Sequence, residues 1–254
     1  MSTKTKIALV TGGSRGLGKD MVLNLAKKGN EVIFTYNSNK SEADSVVEEA
    51  AAAGSKATAF QLDISKMSSI EAFVNEVTTH LSEQLGAPNF DYLINNAGTG
   101  IYGSVFDTTE KAFDNMMNIH FKGVYFLTQN LLPFMNEGGG IVNISSGLTR
   151  VSFPNVSAYA SMKGAVEIYT KCLAKELGSR KIRANVVAPG AIATDFGGGS
   201  NKTDENKRTA IAGLTALGRV GVPEDIGGVV AFLCTPEAGW LNGQRIELSG
   251  GMAV

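Results

Sequence analysis

Short runs of apolar, largely β-branched residues alternate along the chain with longer segments whose apolar positions recur every three or four residues. The first pattern is that of a strand buried on both faces, the second that of a helix with one buried stripe. "KIALVT" reads as a strand, with a helix after it to about Lys28. "EVIFTY" is the second strand, and the helical "SEADSVVEEAAAAG" follows, with Gly54 as its cap. "KATAFQLD" is a third strand with a helix to about Leu85, and "DYLINN" is a fourth. A long helical region over roughly 109–135 precedes "GGGIVNISS", which holds the fifth strand. The long helix "SAYASMKGAVEIYTKCLAKELGSR", the strand "IRANVVAP", the helix "PEDIGGVVAFLC" and the strand "GQRIELSGG" complete the series. Strand–helix alternation of this kind predicts right-handed βαβ units: a single-domain, doubly wound Rossmann fold, with a seven-stranded parallel sheet and helices on both faces. One stretch, about 191–222, breaks the rhythm and is Gly-rich in its middle, so a substrate lid is expected there.

Composition narrows the function. A chain of 254 residues with 43% hydrophobic content can bury one large core. A net charge of −1 favours neither nucleic acid nor an anionic membrane as partner. The apolar run near the N-terminus is too short for a signal peptide, and none is long enough to span a membrane, so the cytosol is the expected location. Cys172 and Cys234 read as small buried residues of a reduced protein. Two histidines, His80 and His120, and two distant cysteines make a metal site an unlikely design, and no GxSxG elbow suggests a serine hydrolase. His120 is expected to be structural or pocket-lining.

Chemistry begins at "VTGGSRGLGKD", between the first strand and first helix. Gly12, Gly16 and Gly18 allow a tight turn and a close approach of a pyrophosphate to a helix N-terminus. A P-loop would need Ser or Thr where Asp20 stands, and a GxGxxG fingerprint would need glycine at Met21. Tyr159 and Lys163 stand four apart in a helical segment, so they share a face. An ammonium there favours phenolate and should lower the tyrosine pKa. Tyr36 and Lys40 have the same spacing, but Tyr36 ends the second strand, away from the expected reacting centre.

These motifs, in order along the chain, resemble the short-chain dehydrogenases/reductases: "TGGSRGLG", "LDI" at 62–64, "NNAG" at 95–98, Asn118, Ser146, Tyr159 with Lys163, "PG" at 189–190, Thr194 and "LSGGM". The resemblance implies NADP(H) or NAD(H) bound by Gly12, Ser14, Arg15, Gly16, Leu17 and Gly18 of the loop. It extends the site to Asp63 and Ile64, to Asn96, Ala97 and Gly98 through backbone atoms, and to Pro189, Gly190, Ile192 and Thr194. Asn95 is expected to be structural. The second strand ends without the acid that would bind ribose hydroxyls, while Arg15 can meet a 2′-phosphate and Asn37 and Ser38 can add neutral hydrogen bonds. NADPH is therefore expected over NADH.

The resemblance further implies a carbonyl reductase in which Tyr159 is the general acid, Lys163 tunes it and bonds the nicotinamide ribose, Ser146 holds the substrate oxygen, and Asn118 holds a water in the relay to lysine. Ser145 is the weaker candidate, because neighbours on a strand face opposite ways. Ile101, Tyr102, Phe153, Val156, Ile192 and Phe196 are candidate substrate contacts, suited to a hydrophobic ketone, aldehyde or oxoester. A 3-oxoacyl-[acyl-carrier-protein] reductase and an alcohol dehydrogenase are alternatives, although "LLPFMNEGGG" offers no basic docking residue beyond a contribution from Arg180. A non-catalytic NADP(H)-binding regulator is the alternative of another class. The family also implies a homotetramer, pairing helices at about 112–135 and 157–178 and using the C-terminus at a second interface.

Overall fold

The computed structural model describes residues 5–254. Residues 1–4, part of the stretch read for a leader, lie outside the described residues. Seven strands form one parallel sheet in the order β3-β2-β1-β4-β5-β6-β7. They are β1 (Ile7–Val10), β2 (Glu31–Tyr36), β3 (Ala57–Gln61), β4 (Phe90–Asn95), β5 (Met135–Ile144), β6 (Arg183–Pro189) and β7 (Arg245–Leu248). The order reverses between β1 and β4, and the carboxyl ends of those strands open a crevice, the usual place for a ligand in such sheets.

Two apolar layers close the sheet. On one face α1 (Gly16–Lys27), α2 (Lys40–Ala52) and α9 (Glu224–Leu233) cover Val10, Phe34, Ile94 and Val187. On the other, α3 (Met67–Leu85), α5 (Gly123–Leu131) and α6 (Ser157–Glu176) cover Leu9, Ile33, Leu93 and Ile141. Alternate residues of β1 and β4 thus enter opposite layers, and apolar character on both faces is what buries the strands. Asp20, the residue that ruled out a P-loop, ties α1 to α9: its Oδ2 accepts the Gly227 N–H at 2.8 Å.

Three expectations are corrected. The region 109–135 is not one helix but α4 (Glu110–Met117), a π-helical turn (Asn118–Lys122), α5 and a 3-10 turn, and Met135 already belongs to β5. Pro133 in that 3-10 turn cannot continue the α-helical ladder. The irregular stretch after β6 contains two short helices, α7 (Ser200–Thr203) and α8 (Glu205–Gly213), entered through Gly197, Gly198 and Gly199 at positive φ. Asp204 caps α8 by accepting the Lys207 N–H. Cys234 is buried, but Cys172 is exposed on α6, on the side of that helix turned away from the sheet. No helix of the described residues is long and apolar enough to cross a membrane.

Candidate active site

The glycine turn is held by its neighbours' atoms. Gly12 and Gly16 take positive φ, and a Cβ on Gly18 would overlap the Gly12 carbonyl. The Asn96 side chain donates to the carbonyls of Thr11 and Gly12 at 2.9 and 3.0 Å. Asn96 therefore clamps the turn with its side chain, beyond the backbone role expected. Asn95 is structural, buried and bonded to Thr128 and Asn143. The turn opens a cavity of about 830 Å³ that runs along the carboxyl edge of the sheet.

At one end of this cavity stand Arg15, Tyr36 and Asn37. Ser38 is exposed and does not line it, because the chain turns away into α2 after Asn37. Lys40 pairs with Asp44 on α2 at 2.6 Å. Arg15 is exposed and has no carboxylate partner among the described residues. Asp63 lines the cavity as a turn former: Oδ1 accepts the Ser65 N–H and hydroxyl, and Oδ2 pairs with Lys66 at 2.9 Å. Burial opposes ionisation, but the Ser65 and Lys66 hydrogen bonds hold this carboxyl below its ordinary range. Ile64, Ala97, Gly98, Pro189, Gly190, Ile192 and Thr194 line the middle, with Ser14 and Leu17 from the turn.

The two serines after β5 part company. Ser145 donates to Glu167 Oε1 at 2.7 Å, whereas the Ser146 hydroxyl sits against the Tyr159 phenol and favours its ionisation. Glu167 Oε1 also accepts from Thr149 at 2.7 Å and from Arg245 Nε at 2.9 Å. Arg245 in turn reaches the Ser146 carbonyl at 3.3 Å. A polar brace from α6 and β7 thus sets the loop that aims Ser146.

Tyr159 and Lys163 are both buried near the start of α6. Lys163 Nζ donates to the Ile144 carbonyl at 2.8 Å and stands 5.7 Å from the Tyr159 ring centroid. Burial brings the ammonium down to about 8. The expected lowering of the Tyr159 pKa does not appear. Burial, then the neighbouring Tyr102, push the phenol above its ordinary value, against the Ser146 hydrogen bond. The withdrawal of the hydroxyl from water outweighs an ammonium directed at a carbonyl.

Three rings enclose the phenol ring: Tyr102 at 6.2 Å, Phe196 at 6.0 Å and His120 at 5.1 Å between centroids. Phe153 and Val156 join Tyr102 and Phe196 along the wall. Leu148, Ile211, Leu214 and Met252 complete it, unmarked by any motif. Asn118 and Ile101 are not brought in. They line a separate surface groove beside α4, and the Asn118 carbonyl is already bonded to the Gly123 N–H. In their place the π turn delivers His120, which lines the cavity and is buried. The available signal was spacing: Met116 and His120 stand four apart, whereas Asn118 lies roughly 200° around the helix from Met116.

Residues 12–253 match the family model adh_short_C2, described as enoyl-(acyl carrier protein) reductase. The chain is 37% identical over 257 residues to the hydroxynaphthalene reductase-like protein Arp2 of Metarhizium majus, covering 97% of this chain and 94% of that protein. The chain belongs to the short-chain dehydrogenase/reductase family. Within it, the tetrahydroxynaphthalene reductase PfmaG of Pestalotiopsis fici is 34% identical over 97% of this chain and 91% of its own. The angucycline C-6 ketoreductase LanV, solved with bound NADP, superposes with a TM-score of 0.92 at 35% identity, covering 98% of this chain and 95% of that one. This short-chain dehydrogenase/reductase is an oxidoreductase with a seven-stranded, fully parallel Rossmann sheet.

Proposed function

We propose that the enzyme reduces an aromatic, fused-ring ketone with NADPH. The observation that carries this reading is Tyr159, a neutral phenol ringed by Tyr102, Phe196 and His120, with Ser146 at its hydroxyl. NADPH supplies the hydride when bound. Gly12, Gly16 and Gly18 would leave room for its pyrophosphate, Arg15 would offer a guanidinium to a 2′-phosphate, and Lys163, which lines the same cavity, would be the donor to its nicotinamide ribose. The adenosine end of the cavity offers Arg15 and Asn37 and no acid from β2, which supports NADPH over NADH.

In this reading Ser146 donates to the substrate carbonyl oxygen and Tyr159 delivers a proton to it as negative charge develops. A phenol held above its ordinary pKa remains protonated until that moment. The apolar wall favours a flat, hydrophobic substrate, and the tetrahydroxynaphthalene reductase PfmaG and the angucycline ketoreductase LanV support the same class. The stretch 191–222 serves as the lid, with Phe196 packed towards Tyr102 across the mouth; a Cβ on Gly197 would come within 2.8 Å of the Tyr102 ring. A carrier-bound 3-oxoacyl substrate fits less well. Arg180, the basic residue nearest that segment's docking role, already donates to the Leu132 and Met135 carbonyls at 2.9 and 2.6 Å. Two unpaired cysteines accord with a cytosolic protein.

Tyr159→Phe is the direct test. NADPH consumption with tetralones, decalones, aldehydes and oxoesters should be fastest on the tetralones. The variant should lose about 10²–10⁴-fold in kcat while binding NADPH as before. Retained turnover in the variant would remove Tyr159 from the acid role. A wild type that binds NADPH but reduces none of these carbonyls would favour a regulatory role.

A further inference from the structure

The charges that line the cavity do not pair off. Its carboxylates are Asp63, Asp195 and Glu247, and its cations are Arg15, Arg150, Lys163 and Lys207. Every carboxylate is matched. Asp63 has Lys66, Asp195 has Lys202 at 3.0 Å, and Glu247 has Arg150 and Arg245 at 2.8 and 2.9 Å. Among the cations, Arg150 is spent on Glu247 and Lys163 on the Ile144 carbonyl. Arg15 and Lys207 remain without a carboxylate partner among the described residues. Arg15 stands at the end of the cavity read for the 2′-phosphate. Lys207 has no such use.

Lys207 lies on α8, and its helical spacing places it on the face turned to the cavity. Lys207, Ala210, Ile211 and Leu214 all line the wall, and positions i, i+3, i+4 and i+7 form one stripe of a helix. Arg208 is off that stripe and otherwise engaged: it donates to the Lys202 carbonyl at 3.1 Å and reaches Glu205 at 3.9 Å. Lys207 Nζ donates to the Ser200 hydroxyl at 2.7 Å. An ammonium has three N–H donors, so this contact steadies the group and leaves donors for another acceptor. Ser200 follows Phe196 by four residues, and the Phe196 ring is 6.0 Å from that of Tyr159. Helix stability does not call for a lysine here. The first turn of a helix favours acids, which Asp204 and Glu205 already supply. The stripe therefore offers a cation at one end and apolar surface along the rest.

We propose, on the reading of this cavity as a site for an aromatic ketone, that Lys207 selects substrates carrying a carboxylate on the ring system, apart from the reacting carbonyl. Ala210, Ile211 and Leu214 cover the apolar body, and the Lys207 ammonium meets the carboxylate in a charge-assisted hydrogen bond. A carboxylate is ionised at neutral pH, whereas an ordinary phenol is not, so an acidic substituent fits this cation better than a hydroxyl. Lys207 is exposed in the open cavity, so its charge is hydrated until the substrate arrives.

The test is a series of tetralones with a carboxylate at each position of the aromatic ring, each paired with its methyl ester as the neutral counterpart. NADPH consumption gives kcat/KM for both members of a pair. In the wild type at least one acid should exceed its ester by about 10-fold, the lower end of what a charge-assisted hydrogen bond contributes. That ratio should fall towards one in Lys207→Gln, which keeps a good helix former, and below one in Lys207→Glu. It should also shrink in the wild type between about 0.05 and 0.5 M salt, because screening weakens a partly exposed pair; this reading needs no variant. No acid preferred over its ester in the wild type would overturn the proposal, as would a preference that survives in Lys207→Gln. A variant that loses NADPH affinity and slows on both members of every pair would assign Lys207 to the cofactor phosphates instead, and overturn it too. A wild type that reduces aldehydes or oxoesters but no tetralone, charged or neutral, would sink the aromatic-ketone reading itself, a result distinct from equal rates on acid and ester.

Discussion

Two cations, Arg15 and Lys163, sit in opposite electrostatic settings. Arg15 is exposed and has no carboxylate partner among the described residues, at the end of the cavity it shares with Tyr36 and Asn37, so its charge is available to a phosphate. Arg15→Glu should lower kcat/KM with NADPH by about 10- to 100-fold, the range of a charge-assisted hydrogen bond, and leave NADH little changed. Lys163 is buried, and its ammonium is brought down to about 8. Below that pH it is charged and can pass on a proton; above it the charge is lost. The kcat for reduction, at saturating NADPH, should therefore fall as pH rises through about 8, and a profile flat to pH 10 would contradict this. At this scale much of the site was legible: Ser146, Tyr159 and Lys163 carry recognisable types at recognisable spacings. Asn118 was legible only as a letter. Its side chain belongs to another groove, because a one-residue widening of the helix cannot be read from residue types.

Elements turn these residues into a site. The turn between β1 and α1 works because neighbouring groups occupy the volume a side chain would need. Gly18→Ala would drive a Cβ into the Gly12 carbonyl and to 2.6 Å from Asn96 Nδ2. Overpacking of this kind costs about 1–3 kcal/mol. The expected result is a Tm several degrees lower with weakened NADPH binding by fluorescence titration; unchanged binding would show that the turn can yield. The π turn has the converse role, spending a regular hydrogen-bond ladder to bring His120 inward. The strands and long helices followed from periodicity. The short helices α7 and α8 did not, because neither carries a long apolar stripe: α7 is a single turn without a side-chain cap, and α8 is started by its Asp204 cap.

At the scale of the whole molecule, exposed apolar groups remain to be accounted for. Tyr125 on α5 and Ile168 and Cys172 on α6 face outward. Trp240 is 99% exposed beyond α9. We propose that copies of the chain cover both surfaces in a homotetramer. Size-exclusion chromatography with light scattering should give four times the 26.7 kDa chain mass; a monomer would leave those surfaces unexplained. The sequence by itself determined the doubly wound sheet, the glycine turn and the Tyr159–Lys163 pair, since periodicity, positive φ and i,i+4 spacing are local properties of a chain. Only the tertiary structure decided which residues share the cavity, that the Tyr159 phenol is held neutral, and that His120 stands beside it. Those depend on which distant segments exclude water from one another, and no local pattern encodes that.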